Sequence, residues 1–304
     1  GSTHWAFSPI QPGAARNMAA WQIAGKKDGP YQIDVSWPLT WSESGDASGK
    51  SANAVYLVDG NALFLTATET LRRRESHRPS ETGTVVIAIG YPITDSVFSP
   101  RRSYDLTPPC DHYIPPEGPD GSPKPEAHGG ADEFLTFIAE IVRPFVELKV
   151  FPRVSFGRTA LFGHSYGGLF ALHALFTKPS SFDVYLAASP SIWWNNRSIL
   201  TEARRFISGA ALFSSAHPVL RLSFGSREQY PVRQRVESDE MFKRRQRAAE
   251  QRRMNDNCEE LYSELLASGR LCKLEVKEYL DEDHGSVIGP ALSGGIMFLS
   301  NLSA

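Results

Sequence analysis

Short apolar runs that stop at glycine or proline recur along the chain. "AVYLVDGNALFL" (54–65), "TVVIAIGYP" (84–92), "RTALFGHS" (158–165) and "DVYLAASPS" (183–191) are rich in β-branched and large apolar residues, the pattern of strands buried on both faces that run into loops. "PVLRLSFGS" (218–226) and "LCKLEVKEYL" (271–280) continue the series. Helical periodicity separates several of them, in "ADEFLTFIAEIVRPFVEL", "GGLFALHALFTKP" and "SDEMFKRRQRAAEQRRMNDNCEELYSELLASG". Strands alternating with helices predict an α/β fold, a mostly parallel central sheet with helices on both faces. "QIDVSWPL" (32–39) alternates with period two and predicts an antiparallel strand at the sheet's edge.

One segment breaks the rhythm. Residues 99–130 are rich in proline and glycine and too long for a simple connection, so a functional loop is expected there. No composition shift marks a domain boundary, and residues 18–304 are expected to form a single domain, preceded by an extension over 1–17. Gly1-Ser2 reads as an expression scar and Met18 as an alternative natural start.

The 304 residues are 41% apolar, enough for a substantial core. The net charge of -2 gives no basic footprint, so neither nucleic acid nor a membrane surface is expected as a partner, and a small-molecule ligand fits better. Cys110, Cys258 and Cys272 form no C-x-x-C, and no histidine stands at ligand spacing; no structural metal, resident cofactor or disulfide framework is expected. That thiol usage fits a cytoplasmic setting, and the chain shows neither a membrane-length apolar stretch nor a secretory leader. Oligomeric state is not legible.

Chemistry enters at Gly163-His164-Ser165-Tyr166-Gly167, a G-x-S-x-G between the expected strand "TALF" and the expected helix "GLFALHALF". A serine on a sharp strand-to-helix turn presents its hydroxyl clear of the backbone at the carboxyl end of the sheet, where open α/β folds bind ligands. A hydroxyl is a weak nucleophile and needs a base. The base expected in this topology follows the last strand, and "LEVKEYLDEDHGSV" supplies His284 there. His164 adjoins the serine, with a side chain expected to point away. For the group that orients His284, Glu228 in "LSFGSREQ" and a main-chain carbonyl of "ASPSIWW" both remain open. An oxyanion hole would draw on the Tyr166 amide and on the loop in "YLVDGNALF", where Asn61 is the first candidate and Ala62 the next.

Together "LVDGNALF", "RRSYDLTP", "GGADEFLTFIAEIVRPFVE", "LFGHSYGGLFALHALF", "SPSIWW" and "DEDHGSV" resemble the esterase-D-like branch of α/β-hydrolases, specifically its siderophore esterases. "SPSIWW" is the most discriminating piece. The resemblance implies a serine esterase acting on a small-molecule ferric siderophore of the fusarinine C or triacetylfusarinine C type, as the intracellular fungal relatives do. It implies Ser165 as nucleophile and His284 as base. It further implies that Trp193, through its carbonyl, orients His284 in place of the usual acid, with Glu228 the rival.

Arg101 and Arg102 open the long loop near the expected sheet mouth and are candidate substrate contacts, as is Trp194 beside Trp193. "KRRQRAAEQRR" (243–253), surrounded by acids, reads as a solvated surface helix that covers a sheet face or caps the site. The rival readings are another carboxylesterase, thioesterase or acyltransferase on the same scaffold, and a noncatalytic siderophore-binding protein.

Overall fold

The structure, a computed structural model, describes residues 16–24, 29–209 and 217–302; most of the expected extension over 1–17 lies outside them. The strands are β1 (Met18–Ile23), β2 (Tyr31–Ser36), β3 (Ser51–Leu57), β4 (Gly83–Gly90), β5 (Ser155–His164), β6 (Val184–Ala188), β7 (Val219–Gly225) and β8 (Lys273–Tyr279). They form one sheet in the order β1-β2-β4-β3-β5-β6-β7-β8. All pairs from β4 to β8 are parallel, while β2 runs antiparallel to both β4 and β1. The period-two strand is therefore antiparallel, as its pattern requires, but β1 covers it and takes the edge.

The principal helices are α1 (Gly60–His77), α2 (Ala131–Phe137), α3 (Tyr166–Thr177), α4 (Ile199–Ser208), α5 (Asp239–Arg252), α6 (Met254–Ser268) and α7 (Ile288–Ser300). Strand side chains alternate between two cores. On one face Tyr56, Leu161 and Leu222 meet Phe134 of α2, Leu172 of α3, Phe206 of α4 and Leu261 of α6. On the other, Leu57 and Phe162 meet Leu63 of α1 and Ile296 of α7. Two-sided burial explains why the parallel strands read as continuous apolar runs.

Two boundaries differ from the sequence expectation. The run 54–65 is not one strand: β3 ends at Leu57, Asp59 turns the chain at φ 54°, and "NALFL" belongs to α1. A short apolar run carries no periodicity long enough to distinguish strand from helix. The long charged helix breaks at Arg253, whose φ of 49° separates α5 from α6. Only Ala249 of α5 is buried, so this helix does not cover a sheet face.

Candidate active site

The six parallel strands deliver their following loops to one edge of the sheet, and the polar groups there converge. Ser165 follows β5 at φ 61° and ψ -117°, a region that a residue with a side chain occupies only when its surroundings impose it. The surroundings here are tight. A Cβ on Gly163 would stand 2.1 Å from the Gly167 carbonyl oxygen, and one on Gly168 would stand 2.8 Å from that of Ala188. The glycines let α3 start directly over β5 and β6, and the Ser165 amide donates to the Ala188 carbonyl at 3.0 Å. The serine hydroxyl is thereby aimed out of the sheet.

His284, beyond β8, sets Nε2 3.0 Å from Ser165 Oγ and Nδ1 2.6 Å from Glu228 Oε2. A carboxylate only accepts, so Nδ1 carries the proton and Nε2 presents its lone pair to the hydroxyl. Glu228 is held in turn: its side chain is 2% exposed, and Oε1 accepts from the Gly225 amide at 2.8 Å and from the Ser189 hydroxyl. Ser191 Oγ lies 3.4 Å from Ser165 Oγ.

Trp193 does not orient His284. Glu228 occupies the Nδ1 position, and the Trp193 carbonyl accepts instead from the Arg197 amide at 3.4 Å. The Trp193 ring lies on the wall of a cavity of about 470 Å³ whose floor holds Ser165, His284 and Glu228. Helix α5 contributes Arg245, Ala248, Ala249 and Arg252 to the same lining. The charged helix is thus a cap over the site.

The other expected substrate contacts, Arg101, Arg102 and Trp194, are not among the residues that line this cavity. Trp194 is 1% exposed and belongs to the core. Arg101 donates to the carbonyls of Gly29 and Pro30 and lies over the rings of Tyr31 and Tyr91. Arg102 forks Asp59 with bonds of 2.7 and 2.8 Å. Burial disfavours the Arg102 charge, but the Asp59 carboxylate outweighs it and raises the guanidinium pKa. These arginines tie the long loop to the scaffold, and Arg102 pins the turn after β3.

That turn carries the second group of candidate oxyanion donors. The Asn61 side chain is engaged with both main-chain groups of Tyr91, at 2.7 and 2.9 Å, and the Ala62 amide donates to Asp59 at 2.9 Å. Among the described residues no acceptor meets the amides of Asn61 and Tyr166. The Tyr166 side chain is occupied elsewhere, donating to Glu126 Oε2 of the long loop at 2.8 Å.

Sequence reasoning missed His164. Its ring does not point away: it is 6% exposed and packs 4.6 Å from the His284 ring, tilted by 40°. Burial first, and the neighbouring His284 charge second, lower its pKa to about 3, so it is neutral beside His284. Only the return of the chain after β8 brings the two rings together.

The chain matches the Esterase family model over residues 28–264. It is 44% identical, over 92% of each chain, to the siderophore triacetylfusarinine C esterase of Aspergillus fumigatus. Among solved structures it resembles siderophore hydrolase EstA from Aspergillus nidulans, with 99% identity, a TM-score of 0.96 and coverage of 99% of this chain and 100% of that one. It also resembles siderophore hydrolase EstB from the same organism, with 44% identity, a TM-score of 0.84 and coverage of 96% and 97%.

Proposed function

The chain belongs to the esterase family, and on that premise we propose that it hydrolyses the ester bonds of an iron-loaded cyclic hydroxamate siderophore of the triacetylfusarinine C type. The observation that carries this reading is the hydrogen-bonded chain Glu228, His284, Ser165 at the floor of a cavity large enough for a bulky ligand. Kinship with siderophore esterases selects the substrate; the geometry supplies the chemistry.

In the proposed cycle Ser165 Oγ attacks the ester carbonyl while His284 Nε2 takes its proton, and Glu228 stabilises the imidazolium that forms. The amides of Asn61 and Tyr166 bind the developing oxyanion. The imidazolium then protonates the departing alkoxide, leaving an acyl-enzyme. Water, deprotonated by His284, attacks that ester; collapse releases the carboxylic acid and returns the proton to Ser165. Opening the macrocycle separates the hydroxamates, lowers their effective concentration around the ferric ion and so weakens chelation. The iron is part of the substrate.

A cytoplasmic setting is part of the proposal. The three cysteines are free, as a reducing compartment would keep them, and among the described residues no helix is long and apolar enough to cross a membrane.

The test is mass-resolved hydrolysis of iron-loaded triacetylfusarinine C by the unaltered protein, Ser165→Ala and His284→Ala. Linear products from the unaltered protein, and a loss of about 10⁶-fold in kcat in either variant, are expected. Intact siderophore in every sample, with fluorophosphonate labelling of Ser165, would retain a serine hydrolase and discard the substrate.

A further inference from the structure

The cavity above Ser165 is lined by arginines and carboxylates whose partners differ. Arg227 donates to Asp281 at 2.8 Å, and Arg245 forks Glu237 at 2.5 and 2.8 Å. Of the lining carboxylates, Glu228 accepts from His284, Gly225 and Ser189, and Asp283 Oδ1 accepts from the amides of Gly285 and Ser286 at 3.0 and 2.8 Å. Arg252 is unlike its neighbours. Its guanidinium carbon lies 5.0 Å from the centre of the Trp193 ring, and among the described residues no carboxylate pairs with it. Every carboxylate on the wall already accepts from protein donors, while one guanidinium on the wall keeps its donors free.

The placement has a direct chemical meaning. A guanidinium over an indole ring gives up water on that side, leaving its other donors for acceptors in the cavity. A carbonyl oxygen on a substrate arm fits such donors. An ammonium group on that arm would meet the like charge of Arg252, while Glu228 is taken up by His284 and Asp283 Oδ1 by two main-chain amides.

We infer that Arg252, held on Trp193, selects substrates by charge: ferric trilactones whose arms end in neutral acylated nitrogens are accepted, and those whose arms carry ammonium groups are disfavoured. This rests on the siderophore-ester reading above. It makes the break between α5 and α6 functional, because Arg252 is the last residue of α5, immediately before the turn at Arg253.

The experiment compares kcat/KM for the ferric triacetylated trilactone and for its deacetylated triamine at pH 6, below the roughly 7.7–8.0 at which an α-amino group loses its proton. The unaltered protein, Arg252→Gln and Arg252→Glu are assayed on both. The ratio of the two values within one preparation is independent of how much of that preparation is folded. The unaltered protein should favour the acetylated substrate; the preference should fall by about tenfold in Arg252→Gln and further in Arg252→Glu, and should shrink as salt screens the charge. Equal ratios in all three proteins would overturn the inference while leaving the hydrolase intact. If the unaltered protein leaves both trilactones intact, the siderophore reading fails and the inference fails with it.

Discussion

Helix α3 begins beside one histidine centre and carries another two turns along, and the two behave in opposite ways. At the mouth, His284 stands between a carboxylate and a hydroxyl, with the buried ring of His164 against it. Along the helix, His173 stands between two carboxylates: Nδ1 is 2.8 Å from Glu202 and Nε2 is 2.8 Å from Asp132. Burial would lower the His173 pKa, but the bonds and charges of Glu202 and Asp132 outweigh it and raise it. Two acceptors favour an imidazolium that ties α2, α3 and α4 together. One acceptor and one hydroxyl leave a lone pair for proton transfer. The second partner, more than burial, separates a structural histidine from a base.

The strongest way to break this comparison is Glu228→Gln. The amide can offer a donor where Nδ1–H needs an acceptor and so favours the wrong tautomer; kcat is expected to fall about 10⁴-fold, whereas Trp193→Ala should act mainly on KM. Comparable kcat losses in both variants would return the orienting role to Trp193.

His164→Ala should come next. It opens space beside the base and lets the ring shift, and a misplacement of about 1 Å is worth up to about 100-fold in kcat. His164→Phe should restore part of the loss by refilling the volume. A pH–rate profile separates this positioning role from general destabilisation. An Ala variant as active as the unaltered protein would show that the 4.6 Å contact is incidental.

The smallest effect is expected at His173. His173→Gln should leave kcat per folded molecule unchanged and cost about 2 kcal/mol of stability, since charged hydrogen bonds are lost, or a drop of about 5 °C in Tm. The pH signs are opposite for the two buried histidines. His173, raised in the folded state, contributes fully below its unfolded value of 6.5, and that stability is lost as pH rises through the folded pKa. His164, depressed to about 3, contributes above its unfolded 6.5, and its share is lost as pH falls from there toward about 3. Thermal denaturation against pH should lose its alkaline decline in His173→Gln and part of its acidic decline in His164→Phe. A His173→Gln profile that merely parallels the unaltered one would remove the imidazolium from the account.

Much of this was legible in local pattern. Apolar runs ending at glycine gave the parallel strands, because a strand buried on both faces has no polar side to alternate. The spacing Gly163, Ser165, Gly167 and Gly168 gave the elbow, because close approach of α3 to the strands leaves no room for a Cβ there. His284 was legible from its position after the last strand. The partners were not. That Glu228, rather than Trp193, meets His284, that Arg101 and Arg102 bind the scaffold, that His164 turns onto the base and that α5 roofs the cavity all depend on contacts between residues far apart in the chain. Local periodicity determines which face of a strand or helix is apolar; which polar side chain receives a given proton or carboxylate is decided only when separate loops are brought to the same edge of the sheet, within hydrogen-bond distance.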